Sequence, residues 1–184
     1  MTYFDKAGKD NTDATLDIAL AEATRRGISS IIIASTTGET GVKMARKCSG
    51  TGIVPIVITH NYGFAEFGVR ELKPDLEEQI TEAGGIVYTG TMVLRTIGSA
   101  LKSKFGYSES ELINAVLRMF CQGIKVCVEM TAMASDAGLI TADDVIAVAG
   151  TGWGADTAVV IAPQPSNRFF DIKIREILAK PRDF

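Results

Sequence analysis

Apolar positions in this chain come in short blocks whose period changes along the sequence. Over residues 11–26, Leu16, Ala19, Leu20 and Ala23 recur three and four apart, which is one helical face. Asn11 or Thr12 stands where a cap belongs, and Gly27 where the helix ends. Ser30 and the β-branched run Ile31, Ile32, Ile33 to Ala34 read as a strand buried on both sides. A helix over 37–47, a strand over 53–59, a helix over 73–83 and a short strand over 86–88 follow. This αβαβαβ rhythm predicts a parallel sheet with helices on both faces.

The second half is less regular. Residues 92–105 and 109–120 read as helices, the latter with Ser108 as cap and Glu111 completing a capping box. Residues 124–130 fit both periods: Ile124, Val126, Val128 and Met130 alternate, while Ile124, Cys127, Val128 and Thr131 share a helical face. The absence of a turn signal before Gly138 favours helix. Strands are expected over 144–149, over Thr157–Ala162 and over 169–178, the last antiparallel to its neighbour. The whole predicts one domain, residues 1–184, with a three-layer α/β/α architecture. Its sheet is mostly parallel, with an antiparallel C-terminal edge.

Two loops carry candidate chemistry. The first is Ser35, Thr36, Thr37, Gly38, Glu39 and Thr40, between a strand and a helix. In an open parallel sheet, ligands bind outside the carboxyl ends of the strands. The first turn of a helix also has unpaired N–H groups and partial positive charge. With four hydroxyls added, the turn can cradle a phosphate-sized anion or merely cap its helix. It is not a P-loop, because no GxxxxGK[ST] is present. The second loop carries Gly150, Thr151, Gly152, Gly154, Asp156 and Thr157 around Trp153. Its glycines suit close approach of a ligand or of another chain. Asp156 is awkward beside a phosphate, and is expected to turn to N–H groups of its own loop or to a sugar-type hydroxyl. The strand ending at Ala149 should lie beside the strand ending at Ala34, which places both loops on one crevice.

Topology adds to this edge. A helix that precedes a parallel strand starts at that strand's carboxyl end, so Lys9, Asn11 and Thr12 should stand with Ser35. The ends of the next two strands bring Thr59, His60 and Asn61, then Thr89, Gly90 and Thr91.

Composition narrows the classes. The chain has 184 residues, 46% apolar, with net charge −3, enough to bury a core. No basic stripe interleaved with aromatics points to nucleic acid. The apolar runs are too short to span a bilayer, and the polar start has no signal-peptide core. Three cysteines without a CxxC pair read as reduced thiols of a cytoplasmic protein. One histidine, without clustered Cys, argues against a structural zinc. Cys48 and Cys127 fall in core patterns.

The segments STTGET, MARK and VPIVITHN, with GLITADDVIAVAGTGWGADT later, resemble the C-terminal α/β domain of the pyruvate kinase family. In that family the domain is not the catalytic one. In many members its two loops hold a phosphorylated sugar, which implies a phosphate site at residues 35–40 and 152–157 here. The catalytic barrel is absent, so kinase activity is not implied. The chain is also similar to small stand-alone archaeal proteins of this fold, through K-x-G-x-x-N-T at 6–12, T-H-x-x-G-F at 59–64 and G-T-G-x-G-A-D-T at 150–157. That resemblance implies a flavin mononucleotide (FMN) ligand held by its phosphate.

No Ser-His-Asp set is legible. His60, the one histidine, reads either as a general base or as a hydrogen-bonding strand end. Glu129 and Asp136 read as structural partners of Lys125 or of backbone. Three functions stay open: a binder of a phosphorylated small molecule, FMN first; an enzyme using that flavin or a phosphorylated substrate; and a regulatory module. The apolar faces around Leu112, Ile113, Val116, Leu117, Met119 and Phe120 predict a homo-oligomer.

Overall fold

A computed structural model describes the whole chain, Met1–Phe184. Its strand β2 (Ser30–Ala34) places alternate side chains on opposite faces of a sheet, as a strand must. Ile31 and Ile33 enter one core with Val57, Ile146 and Val148. Ile32 enters the other with Ile56, Ala147 and Val159. A strand buried on both faces requires a helical layer on each side, and that requirement shapes the molecule.

The remaining strands are β1 (Thr2–Lys6), β3 (Val54–Thr59), β4 (Ile86–Thr89), β5 (Val145–Ala149), β6 (Thr157–Ala162) and β7 (Lys173–Asp183). The sheet order is β1-β7-β6-β5-β2-β3-β4. Helices α1 (Thr12–Arg26) and α2 (Glu39–Cys48) pack on one face beside α3 (Pro74–Glu82). Helix α6 (Gln122–Asp136) covers the other face, with α5 (Glu109–Arg118) on α6 and α4 (Thr96–Phe105) on α5. Short 3-10 turns span Lys9–Asn11 and Ser166–Asp171.

The predicted three-layer, mostly parallel α/β fold is therefore present. Only β6 runs against the other six strands, being antiparallel to both β5 and β7. Two boundaries differ from expectation. Phe169 and Phe170 lie in a 3-10 turn, and β7 begins at Lys173 and runs through Pro181. Outside it, β1 pairs parallel to β7, so an N-terminal strand forms the sheet's edge there. Its exposed, polar TYFDK offers no buried alternation to read.

The 124–130 ambiguity resolves to helix. α6 buries every residue of the Gly123–Ala134 stretch except Val126, being enclosed by sheet and α5. A helix buried all round satisfies both periods at once, which is why the pattern alone did not decide. The helix expected over 92–105 starts only at Thr96, because Met92, Val93, Leu94 and Arg95 form the turn that leads into it. The Ser108 capping box does not form: Ser108 Oγ pairs with Ser110 Oγ at 2.8 Å. Nor does Asn11 cap α1, since its amide donates to the Lys6 carbonyl.

Gly41 sets how closely α2 approaches the sheet. A Cβ there would stand 2.8 Å from Val57 Cγ1 and 3.0 Å from Ile80 Cδ1. Gly41→Val is expected to destabilise by about 1–3 kcal/mol through overpacking, measured by urea denaturation. Unchanged stability would mean that α2 can lift from β3 freely.

Candidate functional site

The strand order reverses between β2 and β5. From β2 the chain passes through α2 to β3 on one side, while β5 leads to β6 on the other. Such a switch point leaves a crevice beyond the carboxyl ends of the two strands. Here it is a cleft of about 740 Å³, within the roughly 300–1,000 Å³ typical of small-molecule sites.

One wall is the turn into α2. Ser35, Thr36, Thr37, Glu39 and Thr40 all line the cleft. Ser35 Oγ accepts the Gly41 amide at 3.0 Å, and its own N–H bonds to the Ile58 carbonyl. The N–H groups of Thr36, Thr37, Gly38, Glu39 and Thr40 donate to no protein acceptor. Glu39 is exposed, with Lys73 at 3.7 Å. Gly38 itself does not line the cleft. Its φ of +108° suits glycine, and a Cβ there would meet Leu76 Cβ at 2.7 Å. Its smallness serves the turn and the packing on α3.

The facing wall joins the N-terminal 3-10 turn to the glycine loop. Lys9 and Thr12 line it from one side; Gly150, Gly152, Gly154 and Trp153 line it from the other. Asp156 fastens the two. It is fully buried, Oδ2 accepts Gly8 N–H at 3.0 Å and Thr151 N–H at 3.1 Å, and Oδ1 accepts the Thr157 hydroxyl at 2.8 Å. Thr12 Oγ1 adds a second clasp by accepting the Ala155 N–H at 3.0 Å. A Cβ on Gly154 would stand 2.3 Å from that same Thr12 oxygen. Asp156 thus turns to the N–H of its own loop, as expected, and also to Gly8.

The third side comes from β3 and from helix starts. His60 lines the cleft with Nδ1 against Glu71 Oε2 at 2.8 Å, and its ring lies 3.9 Å from that of Phe64. Arg95 stands over Phe64 at 5.0 Å. The first residue of α6, Gln122, also lines the cleft. Because α6 runs against the parallel strands, its positive end points at the same edge as that of α2.

Several expected residues lie elsewhere. Asn11 lines an outer groove beside β1. Asn61 turns its amide to the Tyr62 carbonyl, and Thr89 bonds to Thr59 and Arg70. Gly90 packs beside the Tyr88 hydroxyl, and Thr91 is exposed outside the cleft. Thr151, Asp156 and Thr157 sit behind the loop rather than in the cleft, and Thr59 reaches only a chamber behind it. The end of β4 therefore contributes nothing to the cleft wall, because β4 is the far edge strand.

The sequence reading missed Asp10, Asp13, Lys43, Arg95, Gln122 and Val126. Lys43 was findable: it lies four residues after Glu39, on the same face of α2. It pairs with Asp13 at 2.9 Å, and that contact lowers the Asp13 pKa. Arg95 and Gln122 gave no such signal, since the starts of α4 and α6 were not legible. Burial pushes the Cys48 thiol up to about 11, in keeping with a core residue.

No family model matches the chain. Among solved structures, it is similar to a pyruvate kinase from Cryptosporidium parvum (TM-score 0.44, 18% identity over 83% of this chain and 22% of that one). It is also similar to Cryptosporidium parvum pyruvate kinase in complex with ADP (TM-score 0.45, 18% identity, 83% and 23%). An O-ureido-L-serine synthase is more distant (TM-score 0.33, 16% identity, 52% and 30%). The chain thus spans less than a third of the length of these solved chains.

Removing the Asp156 carboxylate leaves buried donors without acceptors. Asp156→Ala is expected to cost roughly 2–5 kcal/mol and to speed hydrogen exchange at Gly8 and Thr151. Asp156→Asn should cost less. A loss no greater than the ~0.5 kcal/mol of an ordinary surface change would remove the clasp from this account.

Proposed function

We propose that the cleft binds a phosphorylated small molecule of nucleotide size, and that FMN is the ligand to place first. The observation that carries this reading is the run of five consecutive N–H groups, Thr36, Thr37, Gly38, Glu39 and Thr40, that have no protein acceptor. Around them stand the hydroxyls of Thr36, Thr37 and Thr40, and Lys9 and Lys43. A phosphate accepts several donors at once and is favoured at a helix N-terminus.

The rest of the cleft fits the body of such a ligand. Gly152, where an added Cβ would meet nothing, leaves part of one wall open, while Gly150 and Gly154 serve the packing of the loop itself. Trp153, 64% exposed, borders it on one side, and Phe64 with His60 on the other. Aromatic faces of this kind favour a flat ring. FMN, when bound, supplies redox chemistry of its own. The chain's residues then hold the phosphate and orient the ring. No kinase activity belongs to this reading. The enzymatic alternative rests on His60, which Glu71 orients beside the cleft. Turnover with a reductant separates it from binding alone. The protein is read as cytoplasmic, and no helix is long and apolar enough to cross a membrane.

Thr36→Ala and Thr40→Ala are each expected to weaken FMN by about 1.5–3 kcal/mol, roughly ten- to a hundredfold, in a fluorescence titration. Riboflavin, which lacks the phosphate, should bind the wild type more weakly than FMN. Equal affinities for both would move the phosphate site elsewhere.

We also propose self-association. Leu112, Val116 and Phe170 remain exposed around a groove of about 420 Å³, lined by apolar residues of α5, α6, the second 3-10 turn and β7. Val116→Glu should shift the mass in light scattering from dimer to monomer. A wild-type monomer at working concentration would end this proposal.

A further inference from the structure

Behind the cleft lies a smaller chamber of about 80 Å³, enclosed by α6, the end of β3 and the turn before α4. It shares Ser35, Thr36, His60, Arg95 and Gln122 with the cleft, so the two spaces adjoin. Lys125, only 2% exposed, is part of its wall.

A buried ammonium needs acceptors, because desolvation penalises the charged form. Lys125 has one, Glu129 Oε2, a helical turn away. The other carboxylate oxygen, Oε1, is already taken by the N–H groups of Leu94 and Arg95, at 2.8 and 2.9 Å. An ammonium has three N–H donors, so two remain without a protein acceptor in a desolvated place. Arg95 lines the same chamber, and no carboxylate pairs with its guanidinium. Glu129 is the only acid in the wall. Lys125 and Arg95 against Glu129 leave one positive charge in excess, beside the positive end of α6.

We infer that the chamber is a subsite for a small monocarboxylate, held between Lys125 and Arg95. The single excess charge matches a monoanion, and the small volume admits a carboxylate but not a ring. Burial pulls the Lys125 pKa below its usual range, and Glu129 opposes that pull. A bound carboxylate would act in the same direction as Glu129. The subsite borders the 35–40 turn through Ser35 and Thr36, but Lys125 and Arg95 hold the carboxylate, so the inference does not require that a phosphate binds at that turn. The source of the carboxylate is either a free small acid or the arm of a longer ligand, and the chemistry is the same in both.

The test is calorimetric titration of the full chain with acetate, glutarate and inorganic phosphate, chloride serving as the control. Saturable binding of acetate identifies a free acid. Saturation by glutarate alone identifies the arm of a longer ligand. Either supports the subsite, provided that Arg95→Met weakens it at least tenfold. A second variant, K125M/E129Q, removes both buried charges together and so strands neither. It should abolish carboxylate binding while FMN affinity stays at the wild-type value. Arg95→Met carries the test if that double variant does not fold. No saturable carboxylate binding by the wild type, binding undiminished in Arg95→Met, or phosphate competing as well as acetate would each overturn the inference. Failure of the wild-type chain to bind FMN, with carboxylate binding intact, would count against the phosphate reading and leave this one standing.

Discussion

The carboxylate of Asp156 is shut away from solvent, and the cleft depends on what it accepts. Its oxygens take the Gly8 and Thr151 N–H groups and the Thr157 hydroxyl, tying the N-terminus to the loop after β5. These segments are 148 residues apart in sequence at Gly8 and Asp156. A buried acid without donors is costly, and a buried donor without an acceptor is costly too. The two requirements meet at one residue, and the Lys9 turn and the glycine loop become one wall. Without that clasp, each would be a separate surface loop.

The opposite wall follows from the sheet. β2 buried on both faces demands helices on both sides, and α2 and α6 both begin at its carboxyl end. The cleft is therefore bordered by two helix starts, by hydroxyls, by Lys9, Lys43 and Arg95 against Asp10, Asp13 and Glu39, and by few apolar groups. That chemistry suits an anion with a polar body. Behind it, Lys125 and Glu129 form a buried pair whose carboxylate also holds the turn into α4. The same glutamate thus links the floor of the site to the helices that carry the exposed apolar face.

Much of the fold could be read from the sequence because its strands alternate with helices of clear period. Ile31, Ile32 and Ile33 announced a strand buried on both faces, and the order of β2, β3 and β5 placed the loops. The start of α6 was not legible, because Cys121 breaks the chain in an extended conformation without a Gly, Pro or turn signal. Gln122 was lost with it, and Arg95 with the start of α4. Strand β1 was lost because an exposed edge strand has no buried face to betray it. At the site, residue type outran placement. Thr89, Gly90 and Thr91 are polar and stand at a strand end, but β4 is too far along the sheet to reach the crevice. Asp156 takes an N–H of its own loop, one of the two alternatives expected, while its bond to Gly8 depends on tertiary contact that no local pattern encodes.

Backbone amide shifts measured by NMR during titration with FMN test the central claim most directly, since the claim concerns particular N–H groups. The account predicts the largest shifts at Thr36, Thr37, Gly38, Glu39 and Thr40, smaller ones at Gly150, Gly152 and Gly154, and none in β1 or at Leu112. Shifts concentrated away from the 35–40 turn, or none at saturating FMN, would contradict it.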